Sequence, residues 1–177
     1  MTPDFSQLIA KLTDSGFEFF MIGGYAAVTY GSSQVTRDLD VCAVLTNENV
    51  ELLRRALAEW YPRHRMTSER LSFLKFPEVG EPVNDLYLET DVGVLDILSS
   101  VLGVGDFARL KSAAEKFEVD GRVCWVISLP DLIVAKEAVG RGKDKLTAVE
   151  LRVIAAKRKR WRRNCRQLGG VCRRLRL

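Results

Sequence analysis

Two short apolar runs, separated by a glycine pair and a segment of small residues, constrain the fold of this chain most strongly. Residues 17–22 form an aromatic-rich run of strand length, and residues 39–45 form a second one. Gly23 and Gly24 end the first run, and residues 25–30 have the length and small side chains of a short helix. A strand, a tight turn, a helix and a second strand in close succession predict a sheet covered by helices.

The rest of the chain continues this alternation. Apolar spacing and capping residues predict further helices over residues 3–15, with Thr2 as the N-cap, over 47–60, 106–116 and 128–139, and from residue 143 onward. Strand candidates follow at residues 71–76, 85–88, 92–98, 117–119 and 123–127, and Asp120-Gly121 favours a hairpin turn between the last two. Residues 62–70 are polar and are predicted to form a loop. The sequence therefore predicts a mixed α/β (α+β) domain with a C-terminal helical part.

The charge of the chain is distributed unevenly. Of its 27 Lys and Arg residues, ten lie in residues 157–177, a segment without Asp or Glu. Residues 1–156 therefore hold 17 basic and 23 acidic residues, a net charge of −6. We expect an acidic domain over residues 1–156 and a basic C-terminal tail over residues 157–177. The composition, 47% hydrophobic and 28% charged, excludes wholesale disorder and a collagen-like repeat.

The cysteines and the single histidine argue against a zinc site. His64 is the only histidine, and no CxxC pair occurs among Cys42, Cys124, Cys165 and Cys172. Charged residues interrupt the start of the chain, so no secretory signal is visible, and no apolar run reaches the roughly 18 residues of a membrane span. We expect a cytoplasmic protein with reduced thiols and no membrane partner.

Two aspartates at the start of the second predicted strand indicate a metal site. Asp38 and Asp40 are two residues apart, so their side chains point to the same face of a strand. Two carboxylates on one face repel each other unless a cation or solvent separates them. Hard oxygen ligands of this kind suit Mg²⁺, and the apolar neighbours Leu39 and Val41 place the pair on a rigid sheet.

A glycine turn and a third aspartate complete a candidate site for a metal-bound polyphosphate. Gly23 and Gly24 lie between a strand and a helix, where backbone N–H groups can approach an anion closely. Asp96 interrupts the apolar run of residues 92–98, and a lone aspartate in a core strand is costly unless it is paired or metal-bound. A buried aspartate satisfied by backbone donors is the structural alternative for Asp96.

The order of these residues resembles a known family. A glycine pair, the segment Gly-x-x-x-x-Thr-x-Asp-x-Asp from Gly31 to Asp40, and the later Asp96 resemble the nucleotidyltransferase superfamily of the DNA polymerase beta type. Within it, the AbiEii-like toxins and their short relatives are most similar, because residues 132–136 and 141–144 match a helix lysine and an Arg-x-Lys-Asp segment. The resemblance covers about residues 5–155, and Gln34 departs from it where an arginine is usual.

The resemblance implies a nucleotidyltransferase-like mixed β-sheet flanked by helices and a Mg²⁺-dependent enzyme. Such an enzyme transfers NMP from an NTP, ATP among them, to a hydroxyl of a tRNA 3′ end, a protein or a small molecule. Asp38, Asp40 and Asp96 would hold two Mg²⁺ ions, with Asp96 also helping to deprotonate the attacking hydroxyl. The nucleotide would contact Gly23, Gly24, Thr36, Lys136 and Lys143. The family also implies a toxin of a toxin–antitoxin or phage-defence pair, with an antitoxin protein as partner.

Two features keep alternatives open. Lys136 lies among core residues of a predicted helix, where a lysine that extends to solvent is an alternative to a phosphate ligand. The basic tail combines dense charge with one aromatic residue, which suits RNA or DNA binding but also suits docking on the acidic domain. The candidate nucleic-acid contacts are Lys157, Arg158, Lys159, Arg160, Trp161, Arg162 and Arg163.

The function itself has two candidates. The first is an active transferase, favoured by the three aspartates. The second is a catalytically weak relative that binds nucleotide or a partner protein, favoured by Gln34 and by the small room left for an acceptor-binding domain. An idle set of three aspartates would keep its mutual repulsion without a cation to relieve it, which argues for the first.

Overall fold

The structure is a computed structural model that describes residues 4–167, with the backbone alone for residues 165–167. Its helices are α1 (Phe5–Asp14), α2 (Gly23–Thr29), α3 (Asn47–Leu57), α4 (Phe107–Lys111), α5 (Leu129–Val139) and α6 (Gly142–Gln167), with a 3₁₀ turn at Ala58–Trp60. Its strands are β1 (Phe19–Met21), β2 (Asp38–Ala43), β3 (Arg63–His64), β4 (Leu86–Thr90), β5 (Gly93–Leu98), β6 (Ser100–Val101), β7 (Gly105–Asp106), β8 (Glu115–Val119) and β9 (Arg122–Val126).

Seven strands form one mixed sheet in the order β3-β4-β5-β2-β1-β9-β8, and β6 and β7 pair separately. Strand β2 runs parallel to β5 and antiparallel to β1, whereas β1 runs parallel to β9. The outer pairs β3-β4, β4-β5 and β8-β9 are antiparallel. The predicted α/β class with helices around a mixed sheet is confirmed.

Capping side chains fix where several helices begin. Asp4, Thr46, Asp106 and Ser128 each accept a hydrogen bond from the backbone N–H three residues later, which satisfies one of the free donors of the first helical turn. Gly140 ends α5 in the left-handed conformation typical of a helix C-terminus. The chain then turns directly into α6, which packs along α5.

Helix α1 begins at Phe5 with Asp4 rather than Thr2 as its N-cap, and Thr2 and Pro3 lie outside the described residues. Three further local predictions are wrong. Residues 71–76 form a turn rather than a strand, since the N–H groups of Lys75 and Phe76 both donate to the Ser72 carbonyl. The short strand β3 lies instead within the segment predicted as a loop. The predicted helix over residues 106–116 ends at Lys111, and β8 begins at Glu115.

Helix α6 carries the chain across the change in composition at residue 157. The described part of the basic tail, residues 157–167, therefore continues this helix, and residues 168–177 lie outside the described residues. Among the helices that the structure describes, none is both long enough and apolar enough to cross a membrane.

Candidate active site

The register of the two central parallel strands brings the three predicted aspartates together. Asp40 of β2 lies directly beside Asp96 of β5, and Asp38 stands two residues before Asp40 on the same face. The intervening residue Leu39 and the neighbouring Leu95 are fully buried on the opposite face. One carboxylate oxygen from each aspartate lies within 4.8 Å of those of the other two.

The carboxylates disturb each other's ionisation. Burial, and then the charge of Asp38, raise the pKa of Asp40 from 3.8 to about 6. Burial also raises the pKa of Asp96, although a hydrogen bond from Arg65 opposes that shift. The site therefore holds negative charge in a partly desolvated place, which is the environment that a cation would relieve.

The glycine pair packs tightly against two functional side chains. Gly23, the first residue of α2, has φ +61°, and a Cβ atom there would lie 1.9 Å from Oδ2 of Asp40. A Cβ atom at Gly24 would lie 2.3 Å from Oγ1 of Thr36. The N–H of Gly24 donates to Asp40 Oδ2 at 3.3 Å. The two glycines are thus required for the approach of the β1–α2 turn to the aspartates.

Thr36 orients Asp38. Its hydroxyl lies 2.9 Å from Asp38 Oδ1 and donates to it, and Thr36 packs against Gly24 of the glycine turn. Its contact with a nucleotide stays a prediction. The loop before Thr36 is tied to α6, because both the N–H of Ser33 and the hydroxyl of Ser32 donate to Glu150. Gln34 lies in this loop, with its N–H donating to the Ser32 hydroxyl.

An arginine that the sequence did not single out completes the site. Arg65 follows β3, and its N–H donates to the Tyr87 carbonyl of β4. Its guanidinium binds both oxygens of Asp96, with Nε 3.1 Å from Oδ1 and NH2 in contact with Oδ2. The guanidinium carbon lies 5.5 Å from the centre of the Tyr87 ring. No pattern in the polar segment 62–70 points to this role, since the contact depends on the register of β3, β4 and β5.

The two predicted lysines have different surroundings. Lys136 of α5 is largely buried, and its Nζ lies 2.9 Å from Asp144, a buried residue of α6 that Arg141 also contacts at 3.0 Å. The charge of Lys136 lowers the pKa of Asp40, so it acts on the aspartate site. Lys143 is exposed in the first turn of α6. Roles of either lysine in nucleotide binding stay predictions.

The predicted nucleic-acid contacts lie on α6. Arg158 packs on the domain: its guanidinium carbon lies 4.9 Å from the centre of the Tyr30 ring, and it forms an ion pair with Glu115 at 3.5 Å. The other residues of this basic segment are exposed, namely Lys157, Lys159, Arg160, Trp161, Arg162 and Arg163. Of the two alternatives for the tail, docking on the domain therefore applies to Arg158. The other basic residues of the segment are exposed to solvent, and their role in nucleic-acid binding stays a prediction.

The donor set fits a divalent cation. Asp38, Asp40 and Asp96 offer hard oxygen ligands, and two oxygens bound to one Mg²⁺ at about 2.1 Å lie at most about 4.2 Å apart. The observed upper limit of 4.8 Å is close to that spacing. Because Gly23 has no side chain, the backbone of the β1–α2 turn lies directly beside the carboxylate of Asp40. The three carboxylate oxygens can therefore hold a cation next to this turn.

Two solved structures share this fold. The lincomycin-bound crystal structure of the lincosamide antibiotic adenylyltransferase LnuA aligns with 87% of this chain and 99% of its own, with a TM-score of 0.59 and 14% identity. TM1012 of Thermotoga maritima, assigned as a nucleotidyltransferase, aligns with 82% of this chain and 91% of its own, with a TM-score of 0.52 and 16% identity.

Comparisons of the sequence with family models and with curated proteins find no match. The likeness to solved structures therefore concerns the fold, and this fold is the one found in nucleotidyltransferases.

Proposed function

We propose that this protein is a Mg²⁺-dependent nucleotidyltransferase that transfers NMP from an NTP to a hydroxyl group. The observation that carries the proposal is the convergence of Asp38, Asp40 and Asp96 beside the glycine turn. Each of these features occurs in many proteins, but their combination at one edge of a sheet with this fold suits phosphoryl transfer. Two solved structures with the same fold, LnuA and TM1012, add support.

The three aspartates would hold the divalent ions of the reaction. Bound there, Mg²⁺ would neutralise charge on the attacking and leaving oxygens of the phosphoryl transfer. Thr36 keeps Asp38 oriented by its hydrogen bond, and Gly24 does the same for Asp40. These contacts fix two ligands before any ion arrives, which reduces the entropy lost on binding.

The remaining steps fall to groups of the chain itself. Asp96 would accept the proton of the acceptor hydroxyl, whose oxygen would form the new bond to the α-phosphorus. The bond from that phosphorus to the bridging oxygen breaks, and pyrophosphate leaves. Backbone N–H groups of the turn at Gly23 and Gly24 would contact the phosphates, and Lys136 brings a positive charge whose effect reaches Asp40. No covalent enzyme intermediate is required.

The acceptor would approach along the face of the sheet that carries Asp96. On β4, Leu86, Leu88 and Thr90 are buried against the core, whereas the alternate residues Tyr87 and Glu89 are partly or fully exposed. Tyr87 stands directly opposite Asp96 in the register of β4 and β5. Asp96 itself is buried, and the Arg65 guanidinium lies against both its oxygens and the Tyr87 ring, so the acceptor would reach Asp96 past this arginine.

RNA is the acceptor class that we favour. The exposed cations of residues 157–163 form a dense positive segment on α6, and Trp161, with 44% of its surface exposed, can stack on a base. Replacing Lys157, Lys159, Arg160, Arg162 and Arg163 with Gln should weaken RNA binding. If all five contact phosphates, the magnitude of the slope of log affinity against log salt should decrease by about 3.5 to 4.5. An unchanged slope would contradict a role of the tail in RNA binding.

Nucleotide transfer itself is tested with α-labelled NTPs. The protein is incubated with Mg²⁺, each of the four NTPs and total tRNA, a protein mixture or small hydroxylated molecules, lincomycin among them because LnuA is a lincosamide adenylyltransferase. We expect label in RNA and none with Asp38→Asn or Asp96→Asn. The exposed Asp91→Asn is the matched control. Label in no acceptor would favour the catalytically weak, nucleotide-binding alternative.

The resemblance to AbiEii-like toxins adds a cellular role to the proposal. We propose that the protein acts as the toxin of a toxin–antitoxin or phage-defence pair in the cytoplasm, with an antitoxin protein as its partner. Induced expression in a bacterial host should then arrest growth, and the Asp38→Asn variant at equal abundance should not. Equal growth with both chains would separate the enzyme from a toxin role.

A further inference from the structure

Arg65 forms an ion pair with Asp96, the third carboxylate of the aspartate site. Its guanidinium takes up both oxygens of Asp96 in a side-on pair, and the two residues lie 31 positions apart in the sequence. The Asp96 side chain is 8% exposed, whereas that of Arg65 is 30% exposed. The carboxylate is thus the more enclosed member of the pair, and the arginine lies on its solvent side.

This pair changes the donor set that a metal ion meets. Each oxygen of a carboxylate has two lone-pair positions, so a bidentate arginine leaves two of the four on Asp96. The remaining positions lie next to a unit positive charge, and like charges at such short separation repel strongly in a partly desolvated site. A divalent ion must therefore displace the guanidinium or bind against its field.

The spacing of the aspartates is close to that of ligands on one ion. The ligand oxygen of Asp96 lies within 4.8 Å of those of Asp38 and Asp40, and two oxygens on one Mg²⁺ lie at most about 4.2 Å apart. A divalent ion at this site would therefore contact the carboxylate that Arg65 holds. If the ion displaces the guanidinium, the ring contact of Arg65 with Tyr87 and its backbone bond to the same residue would keep it beside the site.

We propose that Arg65 is a positioning residue that makes metal binding depend on the nucleotide, by competing with the divalent ion for Asp96. With Arg65 in place, a free ion meets three carboxylates and one neutralising cation, and it binds weakly. A nucleotide triphosphate adds anionic ligands that offset the repulsion from the arginine. The inference rests on the proposed function only in taking the aspartate cluster as the metal site.

The test measures binding of Mn²⁺ alone, and then with a non-hydrolysable NTP, by the electron paramagnetic resonance of the free ion. We expect Arg65→Ala and Arg65→Gln to bind Mn²⁺ alone about tenfold or more tightly than the wild type. The gain in Mn²⁺ affinity from the NTP should shrink in both variants. Arg65→Lys keeps the charge and should keep the weak affinity of the wild type.

The control is Arg70→Ala. Arg70 lies in the same segment and forms an ion pair with the exposed Glu89 of β4. Arg70→Ala therefore removes an arginine–carboxylate pair that is not part of the aspartate cluster. We expect no change in Mn²⁺ affinity. Thermal melting with a chelator checks folding, since a purely structural role of Arg65 lowers the melting temperature without tightening Mn²⁺ binding.

The outcomes separate this inference from the proposed function. Weaker or unchanged Mn²⁺ binding in Arg65→Ala and Arg65→Gln overturns the inference, and so does a lysine variant as tight as the alanine variant. Tighter binding without NMP transfer to any acceptor supports the inference and removes the proposed activity. No Mn²⁺ binding by any chain overturns both.

Discussion

Replacing Asp40 with asparagine should stabilise the protein in the absence of metal. Burial and the charge of Asp38 raise the pKa of Asp40 from 3.8 to about 6, so the folded protein disfavours the charged form. A shift of about two pH units corresponds to roughly 3 kcal/mol of unfolding free energy. Asparagine has nearly the same shape, carries no charge and can still accept the Gly24 hydrogen bond. We expect a gain of about 1–3 kcal/mol at pH 7.5.

The gain should depend on pH in a defined direction. Between pH 3.8 and about 6, the folded wild type holds a proton at Asp40 that the unfolded chain has lost, so its stability falls as pH rises. Well above pH 6, Asp40 is ionised in both the folded and the unfolded protein, so its contribution to stability no longer changes with pH. The advantage of Asp40→Asn should therefore be near zero below pH 3.8, about half of its full value at pH 5, and full at pH 7.5.

Urea denaturation with a chelator, at these three pH values, measures the effect. The matched control is Asp91→Asn, the same chemical change at an exposed position in the turn between β4 and β5. Addition of Mg²⁺ should stabilise the wild type and leave Asp40→Asn nearly unchanged, because the variant lacks one ligand. A destabilised Asp40→Asn at pH 7.5, or a gain equal at all pH values, would refute the electrostatic argument.

Three further predictions follow from the same geometry. Gly23→Ala should abolish the stabilisation by Mg²⁺ and NTP in thermal melts, because its Cβ would lie 1.9 Å from Asp40 Oδ2, whereas Gly16→Ala, also at positive φ but with open space, should retain it. Apparent Mg²⁺ affinity, measured by calorimetry from pH 5 to 8, should fall about tenfold per unit below pH 6, since a proton competes for Asp40, and a flat profile would contradict this. Asp144→Asn should lower the free energy of unfolding, measured in urea, by about 2–4 kcal/mol, because it leaves the largely buried Lys136 without its partner. A loss below about 1 kcal/mol would contradict the idea that this pair holds α5 and α6 together.

The aspartates could be found from the sequence because each stands at a position where its strand is otherwise apolar. Alternation on β2 separates Asp38 and Asp40 from the buried Leu39, and that pattern is visible in the residues alone. Asp96 could be proposed as the third carboxylate from its place in an apolar strand, but its register directly beside Asp40 could not, since a strand's register depends on contacts between distant parts of the chain.

Arg65 could not be predicted because nothing local determines it. It lies in a polar segment without periodicity, and its role comes from the pairing of β3 with β4 and of β4 with β5. The wrong strand at residues 71–76 has a related cause. Phe73 is fully buried, but it is held by contacts with Arg54, whose Nε donates to its carbonyl and whose guanidinium faces its ring. An apolar run thus indicated burial correctly and the backbone conformation wrongly.

The aspartates and the residues around them form one electrostatic arrangement. Three carboxylates within 4.8 Å of one another destabilise the fold, and Gly24, Arg65 and the charge of Lys136 each oppose this by stabilising a charged carboxylate. This compensation is incomplete, because the pKa values of Asp40 and Asp96 stay above the ordinary value of an aspartate. A further positive charge beside these carboxylates would therefore stabilise the folded protein. A fold that needed the carboxylates for structure alone would be more stable with neutral side chains there. Under the proposed function, a divalent ion held by the three aspartates would supply that positive charge.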